Sequence, residues 1–374
     1  MVEDRRLQNC IYTVEQLIRY VDLSHDEQNQ LEKVTKIHPM RISPYYASLI
    51  DWNDPKDPIR KMAVPSVEEL CLDGSYDTSG ESENTKMPGL QHKYRQTALI
   101  IATNQCATYC RHCFRKRLVG LPSREIIQRF EDAARYIAEH REINNVLISG
   151  GDPFVLSTDI LERLLVALAN IRHIRFVRLG SRVPVTLPSR FDDDLLSVLQ
   201  NYSLSEKRLH IVTQFNHPME ITKQSVKAVD SLIKAGVILS NQTVLLKGIN
   251  DNPRVLANLM QSLVSIGVNP YYVFQCRPVK RVIAHFQVPI CEGVRIVENA
   301  KKRCNGLSKR FRYVMSHETG KIEILGILGN NVYFKYHQAK DTRNLGKIFT
   351  RKVDAKAGWL DDFDSKEQSC LLVE

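Results

Sequence analysis

Residues 97–117 read TALIIATNQCATYCRHCFRKR, an apolar run that leads directly into a loop with three cysteines. The apolar residues of 97–104 predict a β-strand, because the run is short and rich in strand-forming residues. The cysteines lie at positions 106, 110 and 113, within eight residues of one another. In a chain without secretory features, such a cluster indicates a metal site rather than disulfides.

Further along the chain, five more apolar runs alternate with segments of helical periodicity. They cover 144–150, 174–181, 209–215, 237–246 and 271–276. Strands that alternate with helices predict a parallel sheet with helices packed outside it. We therefore expect an α/β fold whose strands form a partial (βα)6 barrel.

Polar motifs follow these predicted strands. The cysteine loop follows the first strand, GGDPF follows the second and SRVP follows the third. QFNHP follows the fourth, the fifth contains NQ and the sixth leads to QCRP. The loops after parallel strands converge at the C-terminal rim of a barrel, where active sites lie. We therefore expect one composite site at that rim.

The sequence divides into three predicted regions. Residues 1–90 form a helical lead-in, and its last part, 72–89, is a polar loop rich in Ser and Gly. Residues 91–290 form the barrel, and residues 291–374 form a C-terminal segment with further strand patterns. We expect this last segment to act as a cap.

The composition is that of a soluble globular protein, with 43% apolar and 25% charged residues in a chain of 374. There is no signal-peptide core and no apolar run of about 18 residues, so we expect a cytoplasmic protein without membrane contact. The 52 basic and 42 acidic residues give a net charge of +10. That charge fits an RNA-binding surface or a cavity that attracts anions. Because the basic residues are spread along the chain, we do not expect nucleic acid as a partner.

The cysteine loop suits an iron–sulfur cluster. Three thiolates can hold three corners of a [4Fe–4S] cubane and leave the fourth iron open to another ligand. A structural zinc site normally takes four protein ligands, so zinc would need a distant thiol such as Cys276 or Cys304. Both interpretations stay open on spacing alone.

The spacing of the loop, with Tyr109 before the second cysteine, resembles the signature of the radical S-adenosylmethionine (SAM) superfamily. The resemblance implies that Cys106, Cys110 and Cys113 hold a [4Fe–4S] cluster whose open iron binds SAM. In that superfamily, one-electron reduction cleaves SAM to a carbon radical. The electron would come from a donor such as flavodoxin or ferredoxin.

A second motif of that superfamily binds the methionyl amine of SAM, and Gly150, Gly151 and Asp152 match it. Glycines let a ligand approach the backbone closely. Either a strand-edge carbonyl or the Asp152 carboxylate can then accept from an ammonium. Taken alone, the motif could equally be an ordinary turn.

Within this superfamily the chain resembles the lysine 2,3-aminomutase family, over roughly residues 35–325. The matching motifs include RISPYYASLIDWNDPKDPIRKMAVPS, PGLQHKY, TNQCATYCRHCFRKR, LISGGDPF, RLGSRVPVTLPSR, FNHPMEIT, SNQTVLLKGINDN and PYYVFQC. Members of the family are isomerases that carry pyridoxal 5′-phosphate (PLP) beside the cluster. The resemblance implies an enzyme that moves the α-amino group of a small-molecule amino acid to the β-carbon.

The resemblance also implies residues for the cofactors. Lys321, in HETGKIEI, matches the catalytic lysine that binds PLP, although by itself it reads as an exposed turn lysine. Lys93 matches a basic residue near the PLP phosphate. The family has a second arginine there, at the position of Thr97, and Arg95 is the candidate to compensate. Gln242 matches a glutamine of the SAM pocket, with a buried structural glutamine as the alternative.

The residues expected to contact the substrate differ between this chain and the lysine-acting members of the family. Arg115 matches the arginine that binds the substrate carboxylate, with a solvated surface arginine as the alternative. Lysine-acting members place two aspartates around the far ammonium, but one position is Arg277 here and no aspartate lies at 315–317. A guanidinium beside a buried ammonium is costly. The sequence therefore predicts an acidic or neutral substrate, with glutamate as the first candidate; the alternative is lysine with rearranged contacts, in which Glu318 supplies the charge.

Some lysine-acting members also carry a C-terminal cysteine cluster that holds structural zinc between subunits. After Lys321 this chain has only Cys370, so we expect no zinc. The oligomeric state therefore stays open, with a homo-oligomer as one option. Two other classes also stay open on sequence alone: a radical SAM enzyme that acts on RNA, and a non-catalytic zinc-binding module.

Overall fold

The computed structural model describes residues 5–204, 207–363 and 370–371. The described strands form one mixed sheet in which each strand pairs with the next one in the chain. The strands are β1 Thr85–Met87, β2 Leu90–Tyr94, β3 Thr97–Thr103, β4 Asn145–Gly150, β5 Phe176–Gly180, β6 Leu209–Thr213, β7 Ile238–Leu245, β8 Asn269–Gln275, β9 Arg312–His317, β10 Gly320–Leu328, β11 Asn331–Ala339, β12 Ile348–Lys352 and β13 Cys370–Leu371. The α-helices are α1 Val14–Leu17, α2 His25–Ile37, α3 Pro44–Ala47, α4 Pro58–Ala63, α5 Glu81–Asn84, α6 Phe130–Glu139, α7 Thr158–Ala169, α8 Val183–Thr186, α9 Asp193–Leu204, α10 Lys223–Lys234, α11 Pro253–Ser265, α12 Ile283–Phe286 and α13 Ile290–Lys301.

Strands β3 to β8 form the parallel part of the sheet, and β9 continues it in the same direction. The helices α6, α7, α9, α10 and α11 each lie between one parallel strand and the next. All the strands predicted for the barrel form, with ends that differ by a few residues. The predicted α/β fold with a partial barrel is confirmed.

Side chains on the parallel strands alternate between the outer helices and the barrel interior. In β4, Val146 and Ile148 are buried in the core, whereas Asn145, Leu147 and Ser149 line an interior cavity. Successive side chains of a strand point to opposite faces of the sheet. Each strand therefore supplies one row of side chains to the core and the other row to the cavity.

The lead-in contains α1 to α5 and contacts the cysteine loop through a buried carboxylate. Glu69 accepts from Arg111 Nη2 and from Lys116 Nζ, both at 2.6 Å. All three side chains are buried. One carboxylate thus pairs with two cations, and burial together with the charge of Arg111 lowers the pKa of Lys116 to about 8. These ion pairs hold the loop against the lead-in.

The C-terminal segment adds strands to the edge of the barrel. β9 pairs with β8, and β10 turns back antiparallel so that Lys321 pairs with Ser316. This pairing brings Lys321 to the wall of the interior cavity. The limits predicted for the three regions, at residues 90 and 290, stay a prediction. No helix in the part of the chain that the structure describes is long and apolar enough to cross a membrane.

Candidate active site

A cavity of about 400 Å³ runs through the barrel from the first residues of β3 and β4 to the loops that follow them. Every parallel strand from β3 to β8 contributes to its wall. The site residues predicted from the sequence all line it, namely Lys93, Cys106, Cys110, Cys113, Arg115, Gly150, Gly151, Asp152, Gln242, Arg277 and Lys321. The structure thus brings these residues to one place, while the role of each stays a prediction.

The cysteine loop is held against the end of β4 by the backbone. The Asp152 amide donates to the Gln105 carbonyl at 2.8 Å. A Cβ on Gly151 would lie 2.2 Å from that carbonyl oxygen. Any side chain at position 151 would therefore displace the loop, which explains the glycine.

The three cysteines of this loop line the cavity, as the protein ligands of a cluster would. Each protein ligand of a cubane binds a different iron, so the ligands surround a space rather than meet at a point. Cys106, Cys110 and Cys113 line the cavity together. Within the described ranges, no three Cys, His, Asp or Glu side chains meet around a point that could hold one metal ion.

The cysteines lie in a desolvated environment with cations close by. Burial raises the pKa of Cys113 to about 11, and the neighbouring Arg115 and Lys116 oppose that rise only in part. Cys110 Sγ accepts from Arg182 Nη1 at 2.8 Å. Because thiolates are the form that binds metal, these cations favour the liganding form of the loop.

Arg182 is a residue whose contact with the cysteine loop the sequence does not predict. Its guanidinium donates to the Tyr46 hydroxyl at 2.9 Å and also contacts the buried carboxylate of Glu220. Glu220 therefore balances the charge of a cation that lies against the cysteine loop. The SRVP motif contains Arg182 and marks it in the sequence, but a motif does not show which way a side chain points.

Asp152 already receives four protein hydrogen bonds. Ser181 Oγ donates to one carboxylate oxygen at 2.8 Å, and the Phe154 amide donates to the same oxygen at 3.1 Å. The amides of Arg182 and Val183 donate to the other oxygen at 2.6 and 3.2 Å. Burial raises the pKa of Asp152 to about 6, although these hydrogen bonds lower it. The carboxylate thus joins the ends of β4 and β5, which favours a backbone carbonyl as the acceptor at this motif.

Lys321 lies on β10 with its amine over aromatic rings. Nζ is 4.4 Å from the centre of the Tyr272 ring and 5.6 Å from that of Phe274. Burial, together with the positive charges of Arg178, Arg277 and Lys93, lowers the pKa of Lys321 to about 7. An amine in this environment is partly neutral near pH 7, as a lysine that reacts with a carbonyl must be.

Arg115 and Arg277 both line the cavity, but the guanidinium of Arg115 makes more hydrogen bonds to the protein than that of Arg277. Arg115 donates to Glu81 Oε1 at 3.1 Å and to Ser149 Oγ at 3.2 Å. Within the described residues, the guanidinium of Arg277 makes one hydrogen bond, to Ser79 Oγ at 2.9 Å. A guanidinium has five N–H donors, so most of those on Arg277 stay available to a ligand.

Glu81 is a second residue that the sequence does not single out. Its carboxylate also accepts from Arg117 Nη2 at 2.6 Å, so it binds two guanidinium groups. It is buried on α5, beside Arg277. Burial raises its pKa, but the arginines outweigh that effect and hold the pKa at about 2. Glu81 lies in the polar stretch 72–89, where no periodicity or motif distinguishes it from its neighbours.

The remaining predicted residues occupy different surroundings. Lys93 Nζ donates to the carbonyls of Ser79 at 3.0 Å and of His317 at 2.6 Å. Arg95, which the sequence offers as a further phosphate ligand, is exposed and lies outside the lining of the cavity. Glu318 is exposed as well and does not line the cavity.

Comparison with known proteins defines the class first. Residues 100–260 match the model of the radical SAM superfamily. Together with the barrel and the cysteine loop, this match makes the chain a radical SAM enzyme.

Individual relatives narrow the class. A putative L-lysine 2,3-aminomutase of Aquifex aeolicus is 46% identical over 91% of this chain and 92% of that protein. The L-lysine 2,3-aminomutase of Methanococcus maripaludis is 41% identical over 98% of this chain and 85% of that protein. The glutamate 2,3-aminomutase of Clostridioides difficile is 39% identical over 81% of this chain and 71% of that protein. The chain therefore belongs to the lysine 2,3-aminomutase family.

Membership of this family confirms several expectations. The protein is an isomerase whose family works with a [4Fe–4S] cluster, SAM and PLP. It acts on a small molecule and takes electrons from a donor. The family also decides against an enzyme that acts on RNA and against a non-catalytic zinc module. The identity of the electron donor, the cytoplasmic location and the oligomeric state stay predictions.

Proposed function

We propose that this enzyme moves the α-amino group of an amino acid with an acidic side chain to its β-carbon, and that glutamate is the first candidate. The observation that carries the proposal is the charge on the cavity wall. Arg277 offers free N–H donors to the cavity at the position that the resemblance assigns to an aspartate in lysine-acting members. A carboxylate on the substrate side chain would match that guanidinium bidentately.

The acidic side chains of the cavity support the same proposal. Among the described lining residues they are Glu81 and Asp152. Glu81 is bound by two arginines, and Asp152 accepts four hydrogen bonds. Since Glu318 lies outside the lining, a substrate ammonium would face Arg277 without a carboxylate to balance it. Burial of such a like-charge pair is unfavourable.

The other lining residues have roles that fit this reaction. Cys106, Cys110 and Cys113 would hold the cluster, and Lys321 would hold PLP. When bound, these groups supply the radical initiation and the electron delocalisation that migration of an amine requires. Arg115 would orient the substrate α-carboxylate with the one Nη2 hydrogen that Glu81, Ser149 and the Gly150 carbonyl leave free.

Other residues that line the cavity would bind SAM and the phosphate of PLP. Gly150, Gly151 and Gln242 line the side that the resemblance assigns to SAM. The backbone of the two glycines can approach a ligand closely, because no side chain stands in the way. Lys93 lies near the PLP phosphate in this proposal, with one of its three N–H groups left by Ser79 and His317.

Lysine is the second candidate, because relatives carry that name at the higher identities. The putative lysine enzyme of Aquifex aeolicus is 46% identical, against 39% for the glutamate enzyme of Clostridioides difficile. Identity over a whole chain reports common ancestry more than the few contacts that select a side chain. We therefore rank the contacts of Arg277 above the identity.

An anaerobic assay with a reductant, SAM and PLP tests the proposal. The protein is incubated with each common amino acid, and the β-amino acid product is identified by mass spectrometry and NMR. We expect a β-amino acid from glutamate or another acidic substrate. Product from lysine but not from glutamate would overturn the role of Arg277.

Two variants sharpen this assay. Arg277→Asp should lower turnover of the acidic substrate by about a hundredfold, which is the range for loss of a charged contact. Arg295→Asp makes the same charge change on the exposed side of α13, and it should leave turnover unchanged. Equal losses in the two variants would point to net charge rather than to a contact with the substrate.

A further inference from the structure

One arginine of the cavity has no role in the function proposed above. Arg178 lies on β5 and lines the cavity together with Thr97, Asn145 and Tyr271. Its Nε donates to Asn145 Oδ1 at 2.9 Å, and Asn145 Nδ2 donates to Thr97 Oγ1 at 3.1 Å. These bonds orient the guanidinium. Within the described residues, its two Nη groups have no acceptor.

The surroundings of Arg178 favour the binding of an anion. Burial lowers the pKa of Arg178, and no carboxylate of the described residues forms an ion pair with it. A half-buried, desolvated cation without a counter-ion is unfavourable, so an anionic ligand would stabilise it. Its charge acts on Lys321, whose pKa it helps to lower. The anion would therefore lie close to the lysine proposed to hold PLP.

A hydroxyl beside Arg178 offers another donor. Tyr272 OH donates to Tyr271 OH at 3.0 Å, and the centres of the two rings are 3.8 Å apart. Because the Tyr271 oxygen accepts this bond, its own hydrogen is free to point into the cavity. The ring of Tyr272 also lies under Lys321 Nζ, so the two donors and the lysine share one part of the wall.

We propose that Arg178 binds the phosphate of PLP, with the Tyr271 hydroxyl as a second donor. In this assignment Arg178 takes over from the arginine that the family resemblance places at position 97. Thr97 then serves as the partner of Asn145, which orients Arg178. Two free Nη groups suit a phosphate because they can donate to two of its oxygens at once. The inference rests on the PLP dependence of the family and on Lys321, and it is independent of which amino acid is the substrate.

Binding measured without any substrate tests this assignment. Holoenzyme is depleted of PLP while its cluster is kept, and it is equilibrated anaerobically by dialysis against PLP or against pyridoxal, which lacks the phosphate. Arg178→Gln should raise the Kd for PLP by about tenfold to a hundredfold and leave the Kd for pyridoxal unchanged. Arg95→Gln is the matched control, since Arg95 is exposed outside the cavity, and neither Kd should change.

The comparison of the two ligands separates a phosphate contact from a structural role. Equal weakening of PLP and pyridoxal in Arg178→Gln would overturn the assignment. A loss specific to PLP in Arg95→Gln, without one in Arg178→Gln, would overturn it as well. Should Arg178→Gln fail to fold, Tyr271→Phe removes only a hydroxyl: weaker binding of PLP alone supports the assignment, and an unchanged ratio of the two Kd values contradicts it. A wrong substrate proposal would leave all these results unaffected.

Discussion

Lys321 is a case in which burial sets the reactivity of a single residue. Its pKa is lowered to about 7, first by burial and then by Arg178, Arg277 and Lys93. A free lysine has a pKa of about 10.4, and only the neutral amine reacts with a carbonyl. The rate at which PLP-depleted enzyme takes up PLP should therefore rise with pH up to about 7 and then level off. Stopped-flow absorbance over a pH series measures this rate, and a continued rise toward pH 10.4 would contradict the lowered pKa.

Glu81 illustrates how one carboxylate can organise several cations. Glu81→Gln would leave the buried Arg115 without a negative partner, whereas Arg117 would keep Glu125. Removing one member of a buried ion pair typically costs about 3–5 kcal/mol, and the free energy of unfolding in urea should fall by that order. Substrate affinity should fall too, because Arg115 would lose the carboxylate that accepts from its Nε and Nη2 groups.

A control for this variant lies two residues away. Glu83 is exposed and pairs with Lys340 at 2.8 Å on the surface, where solvent screens the pair. Glu83→Gln should leave both stability and substrate affinity nearly unchanged. Similar losses in the two variants would show that Glu81 has no special part in the cavity.

The sequence predicted which residues line the site, but not which hydrogen bonds and ion pairs they form with the rest of the protein. The motifs that follow β4 and β8 brought Gly150, Gly151 and Arg277 to one cavity, because parallel strands end at a common rim. Lys93 and Gln242 came from the family resemblance, and they line the same cavity. By contrast, the four donors around Asp152 come from loops that pack only in the folded chain. Glu81 was missed for the same reason, since its arginine partners are about 34 and 36 positions away along the chain.

The loop that carries the cysteines depends on close packing against the GGDP turn. In Gly151→Ala the new Cβ would lie 2.2 Å from the Gln105 backbone oxygen, so the loop would have to shift. We expect the purified variant to hold several-fold less iron and sulfide per chain after anaerobic reconstitution. Gly306→Ala is the control, because a Cβ at Gly306 would meet nothing within 4 Å. Full iron content in Gly151→Ala would mean that the loop tolerates the displacement.

The predictability of the strands differs between the barrel and its edges. The strands from β3 to β8 are apolar runs, so their composition alone indicates them. β1 and β2 contain Thr85–Met87 and Leu90–Tyr94, which are short and largely polar, and the sequence did not predict them. β2 forms because the edge of β3 offers a partner for its backbone hydrogen bonds, and β1 in turn pairs with β2. Such tertiary pairing leaves no periodic signal in the sequence.

The chain as a whole carries an excess of positive charge, and the cavity is likewise lined by more cations than carboxylates. The cations that line it are Lys93, Arg115, Arg178, Arg182, Arg277 and Lys321, against the carboxylates of Glu81 and Asp152. The sequence left two explanations for the charge, an RNA-binding surface or a cavity that attracts anions. The placement of these side chains favours the cavity, since the phosphate of PLP and the carboxylates of an amino acid would meet them there.

The stability of the whole molecule should fall in acid in two stages, because buried groups resist protonation in the folded state. Burial, together with the charges of Lys116 and Arg111, lowers the pKa of His38 from 6.5 to about 3. Below pH 6.5 the unfolded chain therefore binds a proton that the folded chain does not, and the free energy of unfolding decreases as the pH falls.

Glu69 and Glu81 account for the second stage. Burial raises their pKa values, but the paired cations outweigh it and hold both at about 2, below the usual 4.5. Their contribution to stability is complete above pH 4.5 and is lost as the pH falls through 2. Urea unfolding over a pH series measures both stages. Burial also lowers the pKa values of His112 and His337, so His38→Gln should make the first stage shallower by the share of one histidine and leave the second unchanged. A wild-type stability that stays constant between pH 6.5 and 4.5 would contradict the buried, neutral His38.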